Sequence, residues 1–117
     1  MKLSQIINAL PSLQKIAGQE LPMKKLYQIS KLLGNLENEI AFYNAQKDKL
    51  INTYCDIVDG RYIPRKGEEK QLNEKMNELL QTEIESEIKE VSLRTDDDIR
   101  LSYNDLVALK GFISIEE

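Results

Sequence analysis

From Leu26 to Ile57, apolar side chains recur at alternating steps of three and four: Leu26, Ile29, Leu33, Leu36, Ile40, Tyr43, Lys47, Leu50, Tyr54 and Ile57. Nine of these ten positions are apolar or aromatic, and Lys47 is the one break. That spacing draws a continuous stripe of the coiled-coil kind along one side of an α-helix. Pro22 suits a first helical turn, so the sequence predicts a long helix over 22–58. At about 1.5 Å per residue its stripe runs on the order of 50 Å. An apolar stripe of that length must be covered. Its nine apolar members, all of them except Lys47, are therefore the candidate interface for a partner or for self-association. Two short helices folded back, over 4–17 and 68–82, would cover about 45 Å of it. Pairing of two long helices would cover it as well, and the sequence leaves the choice open. Gly34 lies beside the stripe at a cost of roughly 1 kcal/mol against alanine. It is read as tolerated rather than as a point of close helix approach.

The remaining elements follow from local signals. Ser4 is a candidate cap for the first helix, and Pro11 either divides that helix or bends it. Gly18 marks its end. Asp59-Gly60 is a turn signal, and Arg61-Tyr62-Ile63 is a short β-like run closed by Pro64 and Gly67, so 59–67 reads as a turn or hairpin arm. A return helix is predicted over 68–82, with Leu72, Met76, Leu79 and Leu80 on one face and Glu68 and Glu69 in its first turn. Glu83 to Leu93 fits a helix through Leu80, Ile84, Ile88 and Val91, and it fits a half-exposed strand through its alternation of Ile and Ser with Glu. The strand is preferred. Arg94 to Asp98 is a polar turn and Ile99 to Leu101 a second short strand. Ser102 caps a short helix with Asp105 at the third position, a capping box with Asp standing in for Glu. Gly111 stops that helix, and Phe112, Ile113 and Ile115 form a closing strand. The expected fold is α+β and mainly α: a single domain, 1–117, with a long helical hairpin, a small C-terminal sheet (83–117) and a short capping helix.

Charge divides unevenly. Residues 1–66 hold ten Lys and Arg against six Asp and Glu, and residues 67–117 hold six against fourteen, for a net charge of −4. Mutual neutralisation of the two halves is the plainer expectation; an acidic surface that repels nucleic acid or meets a basic partner is the sharper one. The basic stripe with interleaved aromatics that a nucleic-acid surface needs is missing. The chain has no histidine and one cysteine, Cys55. That removes the commonest general base, most transition-metal sites and any internal disulfide. Asp96-Asp97-Asp98 lacks the ligand spacing and glycine of a calcium loop and reads as a solvated turn. Glu83, Glu85, Glu87 and Glu90 read as an exposed strand face. Arg61, Arg65 and Lys66 cluster at a turn, where a solvated loop is the default. No phosphate-binding glycine loop is present. No apolar run is long enough to span a bilayer, and no signal peptide opens the chain. No catalytic, cofactor-binding or metal-binding residue is therefore expected. The expected location is the cytoplasm. Of Tyr27, Phe42, Tyr62 and Tyr103, most are expected to pack the sheet or short helices, with one or two serving as interface anchors.

Three stretches carry a resemblance: MKLSQIINALPSLQKIAGQELPMKKLYQISKLLGNLENEI, NEKMNELLQTEIESEI and LSYNDLVALKGFISIEE. Together, and in this order, they resemble a family of small uncharacterised proteins encoded by tailed phages and prophages of Firmicutes. The resemblance covers most of the chain. Its motifs are leucine-rich helix patterns and a Leu-Ser helix start, with no catalytic residue to carry over. It implies a phage origin and expression inside a bacterial host. The functional expectation is a non-enzymatic phage accessory protein that binds another protein, in virion or tail assembly. The alternative is a phage-encoded inhibitor of a host enzyme or defence nuclease, with an acidic surface that mimics nucleic acid.

Overall fold

A computed structural model describes residues 1–116. The protein is α+β and mainly α. Its elements run α1 (Leu3–Ala17), α2 (Met23–Tyr54), β1 (Cys55–Val58), β2 (Arg61–Pro64), α3 (Glu69–Leu80), β3 (Val91–Arg94), a 3-10 turn at Thr95–Asp97, α4 (Tyr103–Ala108) and β4 (Ile113–Glu116). Strands β1 and β2 form one two-stranded antiparallel sheet, and β3 and β4 a separate two-stranded parallel one. No helix among the described residues is long and apolar enough to cross a membrane.

The sequence treats 1–117 as one domain; the described residues gather into two compact units. One comprises Met1–Ser4 with Asn38–Ile84, the other Gln5–Glu37 with Glu85–Glu117.

In the first unit, α2 from Asn38 onward leads through the β1–β2 hairpin into α3. The helix ends at Tyr54, not at residue 58. Ile57 and Val58 are β-branched and lie just before the Asp-Gly turn, so Cys55–Val58 pairs as a strand instead of continuing the helix. Lys2 and Glu83 form an isolated antiparallel bridge: Leu3 N–H donates to Thr82 O at 2.9 Å and Ile84 N–H to Met1 O at 2.9 Å. Helix α1 accordingly starts at Leu3, and Ser4 lies inside its first turn rather than capping it. The Met1 ammonium also pairs with Glu83 at 3.1 Å. Only Leu3, Cys55 and Leu79 are buried apolar side chains here among the described residues, so this core is thin.

The second unit holds the larger core. Ile6, Leu13 and Ile16 from α1, Ile29 and Leu36 from α2, and Leu93, Leu109 and Phe112 from the C-terminal segment are almost wholly enclosed. Helix α1 passes Pro11 unbroken. Pro11 is exposed, so the Ile7 carbonyl that it deprives of a donor lies on the more open side of the helix, away from Leu13 and Ile16. Pro22 stands at the cap position of α2, its carbonyl accepting from Lys25 and Leu26 N–H at 2.9 and 3.0 Å. Gly34 has nothing within 4 Å of a built Cβ, so it is tolerated in open space.

Two strand expectations fail. Of 83–93, only Val91 onward enters a strand, because 85–90 has no ladder partner. Ile99 to Leu101 is not a strand either. The Gln19 side-chain amide supplies both bonds that a neighbouring strand would: Arg100 N–H donates to Gln19 Oε1 at 2.8 Å, and Gln19 Nε2 donates to Arg100 O at 2.9 Å. The capping box forms as the sequence predicts. Asp105 N–H donates to Ser102 Oγ at 3.1 Å and Ser102 N–H to Asp105 Oδ2 at 2.9 Å. Asp105 also accepts from Ser12 Oγ and Lys15 Nζ, each at 2.7 Å, which ties α4 to α1. The Lys15 ammonium first, then the Ser102 N–H and the Ser12 hydroxyl, hold its carboxyl well below the usual carboxylate range.

Replacing Gly34 by alanine is expected to raise stability by about 1 kcal/mol in urea unfolding, since only backbone freedom is removed. Asp105→Ala is expected to destabilise at about pH 7. A depressed folded-state pKa gives stability that is present above the unfolded value and fades as pH falls through the acid range. Urea curves of the two proteins should therefore draw together toward about pH 2.

Candidate interaction surface

The α2 stripe is divided by burial. Ile29 and Leu36 are fully enclosed and present nothing to a partner in this conformation. Leu26, Leu33, Ile40, Tyr43, Leu50 and Tyr54 are half-buried, and Ile57 is exposed on β1. Leu32, which is not a stripe member, is buried beside Ile29 and Leu36. Leu32 stands three residues after Ile29 and four before Leu36, so the three share one helix face, which the stripe leaves by taking Leu33 instead. Lys47, the break in the stripe, holds its ammonium 5.9 Å from the centre of the Tyr43 ring, a cation–π approach that lets the stem lie along apolar surface.

The exposed apolar surface gathers instead on the β1–β2 hairpin. Asp59 and Gly60 have φ of 51° and 76°, the two left-handed positions of a type I′ turn. A bulkier residue than glycine is strained at the second of them. The register pairs Val58 with Arg61, Ile57 with Tyr62, Asp56 with Ile63 and Cys55 with Pro64. Alternation then places Ile57 and Tyr62 on one face and Val58 and Ile63 on the other. Ile57 is 67% exposed, Val58 47%, Tyr62 55% and Ile63 46%. A two-stranded ribbon that is apolar on both faces has no reason of its own to stay in water.

Arg65 fixes the base of the hairpin to the end of α2. Its N–H donates to Tyr54 O at 2.9 Å, its Nη2 to Thr53 O at 2.6 Å, and its Nε lies 3.3 Å from Asp56 Oδ1. Glu68 Oε2, enclosed and without a hydrogen bond, has the same Nε 3.8 Å away. Because Tyr54 and Arg65 are a hydrogen-bonded pair, the ladder alternates upward from them. Cys55–Pro64 and Ile57–Tyr62 then turn their backbone groups outward. Pro64 has no N–H to offer on the β2 side, so β2 opens both backbone groups only at Tyr62, while β1 opens both at Ile57 and at Cys55. Of the basic cluster, Arg65 is engaged, while Arg61 and Lys66 carry no ion pair among the described residues.

Of the five aromatics off the stripe, Phe112 is enclosed, and Tyr27, Phe42, Tyr62 and Tyr103 are all exposed. The expectation that most of them pack internally is overturned. The stripe pattern includes Ile57 but misses Val58 and Ile63. The signal that finds them is the Asp-Gly turn flanked by β-branched and aromatic residues on both sides. No group of three Asp, Glu, Cys or His side chains among the described residues is placed to hold a metal ion. A concavity of about 470 Å³ belongs to the second unit and is lined by α2 and by residues between 87 and 92. No family model, curated protein or solved structure matches the chain.

The hairpin faces are expected to tolerate polar substitution where the core does not. Ile57→Thr with Tyr62→Thr should leave the unfolding free energy from urea curves within about 0.5 kcal/mol of the parent per site, as exposed positions do. Leu36→Ala, at a fully enclosed site, should cost about 2 to 5 kcal/mol.

Proposed function

We propose that this protein acts by binding another protein, not by catalysis, as an accessory protein of a tailed phage in the cytoplasm of the bacterial host. Virion or tail assembly is its setting. The observation that carries the reading is the β1–β2 hairpin, with apolar side chains exposed on both faces and an open strand edge at Ile57. Burial of exposed apolar surface at about 25 cal/mol per Å² favours a docked state, and an open edge adds directional backbone bonds. The resemblance to phage and prophage proteins supplies the setting.

A second reading, inhibition of a host enzyme or defence nuclease, draws on one different observation. Glu85, Glu87, Glu90, Asp96 and Asp98 are all exposed within a short length of chain. Dense surface carboxylates attract basic, nucleic-acid-binding faces.

Affinity capture from prophage-induced cells, followed by mass spectrometry, separates the readings. Tagged parent protein is expected to retain an identified virion or tail protein in high salt, and the Ile57→Thr/Tyr62→Thr variant is expected to lose it. Equal capture by parent and variant would overturn the hairpin reading. Salt-sensitive capture of a host nuclease would favour the second reading.

A further inference from the structure

The parallel pair β3–β4 has an edge that the rest of the second unit leaves incomplete. Val91 N–H donates to Phe112 O at 2.9 Å, and Val91 is in register with Ile113. In a parallel ladder one residue turns both its backbone groups to the partner strand and the next turns both away. Val91 and Leu93 therefore face β4, and Ser92 and Arg94 face outward. The Arg94 N–H is taken by Asp97 Oδ2 at 2.8 Å. The Ser92 carbonyl is taken by the Lys25 ammonium of α2 at 2.6 Å. The Ser92 N–H meets no group of the described chain. It opens on the groove of about 470 Å³, which has α2 on one side and the strand on the other. Leu32 and Val91 are the groove's enclosed apolar lining residues.

Two donors thus open on this edge: the Ser92 N–H, and the hydrogens of the Lys25 ammonium that the Ser92 carbonyl does not take. A carboxylate satisfies both, one oxygen to each, by charge-assisted bonds. The donors lie in the plane of the sheet edge. Side-chain carboxylates of an added strand stand off that plane, whereas a terminal main-chain carboxylate lies in it. Lys31 and Lys89 line the groove together with Glu87 and Glu90, so its other charges balance and Lys25 leaves it net positive, which suits one carboxylate.

We propose that the groove between α2 and β3 takes the free C-terminus of another protein. Its terminal carboxylate bridges the Ser92 N–H and Lys25 Nζ, and its last residues lie in the groove. The residue next to the carboxylate is apolar and rests on Leu32 and Val91. This site is separate from the hairpin, so the two readings stand or fall apart.

The test is selection from a random peptide library displayed with free C-termini. The enriched peptide is then synthesised as free acid and as C-terminal amide and titrated by fluorescence polarisation. The free acid is expected to bind at least about tenfold more tightly than the amide. Lys25→Met should lose a similar factor. Ser92→Pro should abolish binding, because it deletes the outward N–H and leaves the β3–β4 ladder, carried by Val91 and Leu93, in place. Should Ser92→Pro fail to fold, hydrogen exchange of the Ser92 amide in the parent protein decides. Slowing on addition of the free acid supports the site, and unchanged exchange overturns it. Failure to enrich any peptide, or equal binding of acid and amide, also overturns it.

Discussion

In the second unit, one carboxylate sets the course of the C-terminal segment. Asp105 accepts from Ser102 N–H, Ser12 Oγ and Lys15 Nζ, so it closes the first turn of α4 and fastens that turn to α1. With the start of α4 fixed, six helical residues deliver Leu109 to the core, and Gly111, at φ 88°, turns the chain so that Phe112 is enclosed. The next residues are β4, whose register with β3 decides which groups of β3 face inward. The outward Ser92 thus depends on a capping interaction thirteen residues further along the chain. A single charge can do this because it meets three donors on two elements and leaves none of them unpaired.

The first unit has far less apolar burial and relies more on backbone geometry. Leu3, Leu79 and Cys55 are its enclosed apolar residues, and directional contacts supply the rest. The Lys2–Glu83 bridge holds the start of α1, and Arg65 joins the end of α2 to the base of the hairpin. These contacts are largely exposed, where ion pairs contribute little each. Local opening is therefore expected to begin here before the core around Phe112 loosens.

How much of this was legible in the sequence depended on the range of the forces involved. Short-range chemistry was readable: the Asp59-Gly60 turn, the Ser102–Asp105 box, the stop at Gly111 and the tolerance of Gly34 all rest on a few neighbouring residues. Periodicity found α2 but overran it. Ile57 fits the helical stripe and the strand equally well, and the turn two residues later decides for the strand. What the sequence did not reveal was pairing across long separations. Gln19 takes the place of a strand beside Arg100, some eighty residues away, and Ser12 and Lys15 reach Asp105 from a distant helix. Nothing local distinguishes that glutamine or that serine from an ordinary surface residue. The surface of interest was likewise displaced, because burial removed Ile29 and Leu36 from the stripe and the hairpin exposed Val58 and Ile63.

Two two-stranded sheets among the described residues leave four strand edges to manage. Open edges invite unwanted pairing, and proteins blunt them with proline, with lysine or with a covering element. Two of those devices are in place. Pro64 removes a donor on the β2 side, and Lys25 covers the Ser92 carbonyl on β3. The device on β3 is partial, since an ammonium can occupy a carbonyl but leaves the neighbouring N–H unmet. On β1 it is absent at Ile57, whose flanks are apolar on both faces. Edges closed except at one donor, as on β3, differ from edges left open along their whole length. They refuse most strands and keep the geometry for one, which is how an edge becomes selective.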